Sequence, residues 1–306
     1  MKKKNRKRIL GLLIIMTGLL LAAYPAISNY VFENRADSLV YSYEEVADDL
    51  EDMKKNELWE LANEYNKTLR SNTVRFYDPF GERFGLTEMD EAVRNFADQL
   101  ALDGTGVIGS VEVPVIDVKL PIYADDTYEQ ALERGAALVS GTSIPVGGEG
   151  THAVISGHTG LNTAKLFTDL TSVAVGDQFY ISILGETLAY EVDEINVVDP
   201  YDFSKLLIAP EMDYCTLLTC TPYGVNSHRL LVRGVRVEYV PEVVEQIRED
   251  REDTSSQWWS EYISAIAWGL LIVLIIIVIM IFGRVIYNAK HKEGNKRKNK
   301  DSGGAN

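Results

Sequence analysis

The chain has 306 residues, 46% of them hydrophobic, enough for one large core or two small ones. Its formal net charge of −15, from 30 Lys and Arg against 45 Asp and Glu, argues against a nucleic-acid binder with the usual basic footprint. The charge is unevenly spread. Lys2, Lys3, Lys4, Arg6, Lys7 and Arg8 crowd one end, and Arg284, Lys290, Lys292, Lys296, Arg297, Lys298 and Lys300 crowd the other. Residues 28–261 keep 17 basic and 43 acidic side chains, about −26, a distribution that a soluble cytosolic enzyme rarely shows.

Residues 1–8 form a basic N-terminus, and residues 9–27 follow without a charged side chain, long enough in helical form to span a bilayer. The basic start and the small residues Ala22, Ala23 and Ala26 also suit a cleaved signal peptide. From 28 to 106 the chain reads as a helical region. Leu39, Val46, Leu50, Met53, Leu58, Leu61 and Tyr65 are spaced for one or two amphipathic helices over 36–70. Residues 72–106 are rich in turn formers, with a short helix near 90–100.

Between 107 and 240 the pattern changes to short β-rich runs at 107–113, 118–123, 152–156, 178–184, 188–198, 214–220 and 229–239. Short helices are predicted at 128–134 and 165–170. Seven or eight strands in about 135 residues, without βαβ alternation, indicate a mainly β domain, closed as a barrel or stacked as a sandwich. Residues 241–261 form an acidic helical linker. Residues 262–283 are charge-free and lead into the basic tail 284–306, with Trp258, Trp259 and Tyr262 where an interfacial aromatic belt belongs. The positive-inside rule keeps both basic ends in the cytoplasm and places 28–261 outside, as a multi-pass membrane protein. An acidic body is also repelled from an anionic lipid surface.

Two segments concentrate chemistry. The only cysteines, Cys215 and Cys220, lie in a compartment that permits disulfides. Five residues of strand span roughly 16 Å, far beyond the about 7 Å limit between disulfide Cα atoms. The odd spacing also sends the two side chains to opposite sheet faces. Cys215 therefore reads as a buried small hydrophobe. Cys220 ends a strand just before Pro222 and Gly224 force a loop, a position from which a thiol can face a cleft. An unpaired extracellular cysteine is an oxidation liability, so its presence suggests use.

A nucleophilic cysteine needs a base or a cationic neighbour. Of the four histidines, His291 falls in the cytoplasmic tail, and His228 adjoins Arg229. His158 lies in Ile155-Ser-Gly-His158-Thr-Gly160, after a β run and between glycines. His152 begins that strand, about 20 Å away when extended, so the two do not share a metal. No zinc-ligand spacing is present, and nothing in the sequence requires a metal or another cofactor. Arg229 follows Cys220 by nine residues, and a strand returning after the 222–226 loop brings it level with the cysteine. A fixed cation there can hold an oxyanion or lower the thiol pKa. Arg233 is the rival, pointing to the same face further along.

Thr216-Leu-Leu-Thr-Cys220, Ile155-Ser-Gly-His158 and Asn226-x-x-Arg229 together resemble the active-site motifs of sortases, the membrane cysteine transpeptidases of Gram-positive bacteria. The resemblance covers roughly 107–240. The C-terminal apolar run and Asp78-Pro79-Phe80, similar to a lid tripeptide, sharpen it to class C, the pilus-polymerising sortases. It implies a closed eight-stranded sortase β-barrel, with a helical lid region before it and flanking transmembrane helices. It further implies Cys220 as nucleophile, His158 as proton donor to the leaving amine, and Arg229 as oxyanion partner. Thr219 and Asn226 would contact substrate, and the lid Asp78, Pro79 and Phe80 would cover the cleft. The implied substrate is a Leu-Pro-x-Thr-Gly-like sorting signal, cut between Thr and Gly and joined to a lysine of another pilin subunit by a monomeric enzyme at the cytoplasmic membrane.

Three other readings stay open. A housekeeping sortase would anchor proteins to cell-wall peptide and have an uncovered cleft. A membrane-tethered pilin or adhesin would carry its own sorting signal before the second apolar run, and residues 253–261 contain none. A thiol redox sensor would need a resolving cysteine, for which Cys215 is badly placed.

Overall fold

Strand pairing closes on itself in this chain. The computed structural model describes residues 2–71, 78–80, 99–124, 128–161, 163–250 and 257–301. The strands are β1 (Val107–Val113), β2 (Val118–Tyr123), β3 (Ala136–Leu138), β4 (Thr151–Ser156), β5 (Gln178–Ile183), β6 (Glu186–Val198), β7 (Asp213–Thr221) and β8 (His228–Val237). They form a closed barrel in the order β1-β2-β3-β4-β7-β8-β6-β5, which leaves no free sheet edge. Two neighbour pairs, β2 with β3 and β4 with β7, run parallel, and the rest are antiparallel.

Alternation along each strand sorts side chains between two layers. Ala153, Ile155, Cys215, Leu217, Leu230 and Val232 join Val111, Phe179 and Ile181 in the main core. The intervening Val154, Leu218 and Leu231 join a second cluster with Ala137, Val139 and Leu206, against which Phe203 packs. The connection between β6 and β7 covers the outer face of β4 and β7, which is why β4 is buried at every position. A fully buried aliphatic side chain of this kind contributes about 1.5–3 kcal/mol.

Helix α1 (Lys2–Asp48) buries Ala36, Val40, Tyr43 and Ala47, a helical spacing that lays one stripe on the barrel, and the Tyr43 hydroxyl accepts the Leu184 amide at 3.2 Å. Helix α2 (Asp52–Ser71) buries Leu58, Ala62, Asn66 and Leu69. The Asn66 amide exchanges two hydrogen bonds with the backbone of Ile144, at 2.8 and 3.0 Å. Helices α3 (Tyr128–Arg134) and α4 (Pro241–Asp250) complete the first of two compact units, Met1–Trp258. The second, Trp259–Asn306, consists of helix α5 (Gln257–Asp301) beyond its first two residues, and its apolar residues 263–282 are mostly exposed. Windows over Leu13–Asp48 and Trp258–Arg284 are long and apolar enough to cross a membrane.

The fold class read from the sequence is the one observed, with three local differences. The first apolar run and the amphipathic stretch after it form one helix that continues through Pro25, because continuing keeps every other backbone amide paired. The helix expected at 165–170 is a 3-10 turn displaced to Thr168–Ser172, since Leu166 has a left-handed backbone (φ 46°) that stops an α-helix there. Strand β3 was missed because three residues, Ala-Ala-Leu, carry no alternation. The helix expected near 90–100 lies mostly outside the described residues.

Candidate active site

Register places the chemical side chains at one end of the barrel. β7 and β8 pair antiparallel with Cys220 opposite Arg229. β4 and β7 pair parallel up to Ser156 opposite Leu218. Two further bonds carry that alignment beyond the strand: the Gly157 amide donates to the Leu218 carbonyl at 3.0 Å, and the Thr219 hydroxyl donates to the Gly157 carbonyl at 2.7 Å. His158 therefore leaves the sheet at the level of Cys220. Gly157 is required here, because a Cβ would come within 2.6 Å of the Phe167 ring.

The turn between β7 and β8 holds the arginine. The Pro222 carbonyl accepts the amides of Val225 and Asn226, and Asn226 takes a left-handed conformation (φ 58°). Arg229 Nη1 donates to the carbonyls of Asn226 and His228 at 3.1 and 3.0 Å. The rest of the guanidinium faces Asp78, with Nε to Oδ1 at 2.8 Å and Nη2 to Oδ2 at 2.6 Å. This is a two-bond carboxylate fork with both side chains buried. Pro79 follows, and the Phe80 ring lies 5.4 Å from the His158 imidazole and 5.3 Å from the Arg229 guanidinium carbon. Asp78 and Phe80 thus stand against Arg229 and His158, and Cys220 is only 7% exposed.

Burial and the local charges set the electrostatics. Burial pushes the Cys220 thiol up to about 11, with Arg229 opposing and the Asp78 carboxylate reinforcing the rise. Burial works against charge on Arg229, but its hydrogen bonds to Asp78 together with the nearby charges of Cys220 and Asp78 hold its pKa above the ordinary value. Cys215 is fully buried, and burial raises its thiol far above the usual range. Both cysteines are free.

The remaining sequence candidates separate. Thr219 is fully buried on the inward parity of β7 and bonds to Gly157, so its hydroxyl serves the chain and is not presented to a ligand. Asn226 is exposed, and its backbone carbonyl holds Arg229. Arg233 is engaged elsewhere, in ion pairs with Asp193 and Glu194 and over the Tyr214 ring. His152 is buried between the Leu207 carbonyl at 3.1 Å and the Thr216 hydroxyl at 2.7 Å, and burial lowers its pKa to about 4. That ring tethers the β6–β7 connection over the outer face, a role the sequence did not signal.

A closed barrel with a buried thiol at the end of β7, a histidine beyond β4 and an arginine paired with a covering aspartate defines the class of protein. A family model described as a sortase domain matches residues 111–237. The chain is 31% identical over 134 residues to sortase A of Bacillus anthracis, covering 44% of this chain. The match spans 61% of that relative's length, and 62% for sortase A of Staphylococcus aureus. Among solved structures it resembles sortase C-1 of Streptococcus pneumoniae, with 45% identity, TM-score 0.58, and coverage of 66% of this chain and 98% of that one. It likewise resembles a pilus-related sortase C of Group B Streptococcus, with 43% identity, TM-score 0.58, and coverage of 65% and 97%. The chain belongs to the sortase family.

Proposed function

We propose that this chain is a membrane-anchored class C sortase that joins pilin subunits. Both basic ends are cytoplasmic, and the domain from 28 to 261 is outside. In the covered state the Cys220 thiol stays protonated at neutral pH. When residues 78–80 move away, Asp78 releases Arg229, water and substrate enter, and the thiol loses its proton to His158. Cys220 Sγ then attacks the Thr carbonyl carbon of a Leu-Pro-x-Thr-Gly-like signal, and Arg229 holds the oxyanion. The C–N bond to Gly breaks as His158 returns its proton to the leaving amine, giving a thioester. A lysine amine of another pilin attacks that thioester. Its proton passes to the departing thiolate by way of His158, and an isopeptide bond remains.

The observation that carries this reading is the Asp78–Arg229 fork with Phe80 beside His158, at the register level of Cys220. A cover over the cleft favours the class C reading over a housekeeping sortase with an open one. The pilus-related title of a solved relative supports the same assignment. Thr219 acts as a positioning residue through Gly157. Incubating the full chain in lipid vesicles with candidate pilins tests the proposal. Covalent ladders are expected with the wild type and not with Cys220→Ala, and ladders formed by Cys220→Ala would overturn it.

A further inference from the structure

His158 sits at the start of a loop whose far side is tied to residues bordering both apolar runs. Its carbonyl accepts the Phe167 amide at 3.0 Å, and the Gly160 amide donates to the Thr168 hydroxyl at 3.1 Å. Either side of that Phe-Thr pair stand Lys165 and Asp169, buried and joined at 3.1 Å. Lys165 Nζ also donates to the Ile116 carbonyl at 2.6 Å, and its backbone amide donates to Asn29 Oδ1 at 2.7 Å. Asp169 accepts the backbone amide of Trp258 at 3.3 Å. The Trp258 indole donates to the Leu161 carbonyl at 3.1 Å, three residues beyond His158.

Asn29 lies two residues past the apolar run 9–27, and Trp258 lies four residues before the run 262–283. Both are buried, at 4% and 3% exposure. A buried Lys–Asp pair adds little net stability, because its desolvation offsets most of its attraction. Its effect is geometric: with the Lys165 ammonium held by Asp169 and the Ile116 carbonyl, and the backbone amides of Lys165 and Trp258 held by Asn29 and Asp169, the pair fixes the segment that carries the Phe167 and Thr168 contacts to the histidine loop. The heights at which the apolar runs settle in a bilayer fix the heights of Asn29 and Trp258. We infer that Asn29 and Trp258 are positioning residues for His158, through which the anchoring of the two apolar helices sets the histidine loop. The inference rests on the reading of His158 as the proton-transfer residue of this site.

The test uses the full chain in phosphatidylglycerol–cardiolipin nanodiscs, on a Phe80→Ala background so that uncovering the cleft does not limit the rate. Two quantities are read: kcat and KM for a sorting-signal peptide, and the ring carbon and proton resonances of His158. Trp258→Ala and Asn29→Ala should each shift the His158 resonances and lower kcat about tenfold or more, with KM changed less than about twofold, since a small misplacement of a catalytic group costs up to about a hundredfold. Trp258→Phe, which keeps a buried ring and loses only the indole donor, should fall between. Should Trp258→Ala not fold, Trp258→Phe and Asn29→Ala read out the same coupling. Parental kcat and unshifted His158 resonances in these folded variants would overturn the inference. His158→Ala separates the two claims: full turnover by that variant sinks the site reading itself, whereas an inactive His158→Ala beside unaffected positioning variants sinks only the coupling.

Discussion

At Cys220, burial and the Asp78 carboxylate favour the neutral thiol while Arg229 favours the thiolate, and the balance near 11 keeps the sulfur protonated at neutral pH. Arg229 is locked to Asp78, and in the proposed mechanism it is the cation that meets the reacting carbonyl once Asp78 leaves. Arg233 is instead tied to Asp193 and Glu194. Arg229→Ala should therefore lower kcat about 100- to 1000-fold, the usual cost of removing an oxyanion donor. Arg233→Ala should change it far less. Steady-state kinetics on a peptide substrate check this, and the reverse order would assign the oxyanion role to Arg233. The level pairing of Cys220 and Arg229 was legible in the sequence, because a nine-residue spacing around a Pro-Gly turn returns an antiparallel strand to the same height. Thr219, expected as a substrate contact, donates its hydroxyl to the Gly157 carbonyl. The parity that put Cys215 and Cys220 on opposite faces also turns Thr219 inward, which adjacency to the cysteine does not reveal.

Among the elements, the 78–80 segment is the one proposed to govern access. Its ion pair with Arg229 bridges 151 positions of sequence, and no periodicity or local spacing announces a contact that long. The tripeptide was noticed by resemblance, and its partners became visible only in the fold. Two charge-assisted bonds of about 1.5–3 kcal/mol each hold it down, against the solvation both groups regain when it lifts. Asp78→Ala removes a negative charge that raises the thiol pKa, and Phe80→Ala admits water to the sulfur. Both changes move the Cys220 titration downward from about 11. Each unit of that shift raises the thiolate fraction at neutral pH about tenfold. Labelling rates of Cys220 with a thiol reagent, followed against pH, should rise at lower pH in both variants. Superimposable profiles would remove the segment from any role in access. Strand β3 and the turn at Thr168–Ser172 escaped sequence reading for local reasons, a run too short to alternate and a left-handed Leu166.

For the molecule as a whole, the net charge of −15 averages two basic ends with a body near −26 and describes no single surface. The distribution matters more, because under the positive-inside rule it carries the proposed orientation. A single cysteine at position 5 or 306, on a Cys215→Ala, Cys220→Ala background, should be protected in sealed right-side-out vesicles from a membrane-impermeant thiol reagent. A cysteine at the exposed position 201 should react. Labelling of positions 5 or 306 before detergent is added would reverse or break the proposed topology. A mainly β domain, barrel or sandwich, was readable because strand periodicity and frequent Gly and Pro are local signals; the closed barrel came with the resemblance. Closure and strand order depend on pairings such as β4 with β7, more than 60 residues apart in sequence, and only the fold supplies them.

The most direct measurement of the central claim is intact-mass spectrometry of the full chain, on the Phe80→Ala background, quenched in acid during turnover of a Leu-Pro-x-Thr-Gly peptide. The account predicts an adduct equal in mass to the peptide through its Thr, carried on Cys220, discharged by hydroxylamine and absent from Cys220→Ala. Turnover of the peptide with no such adduct, or an adduct that persists in Cys220→Ala, would contradict it.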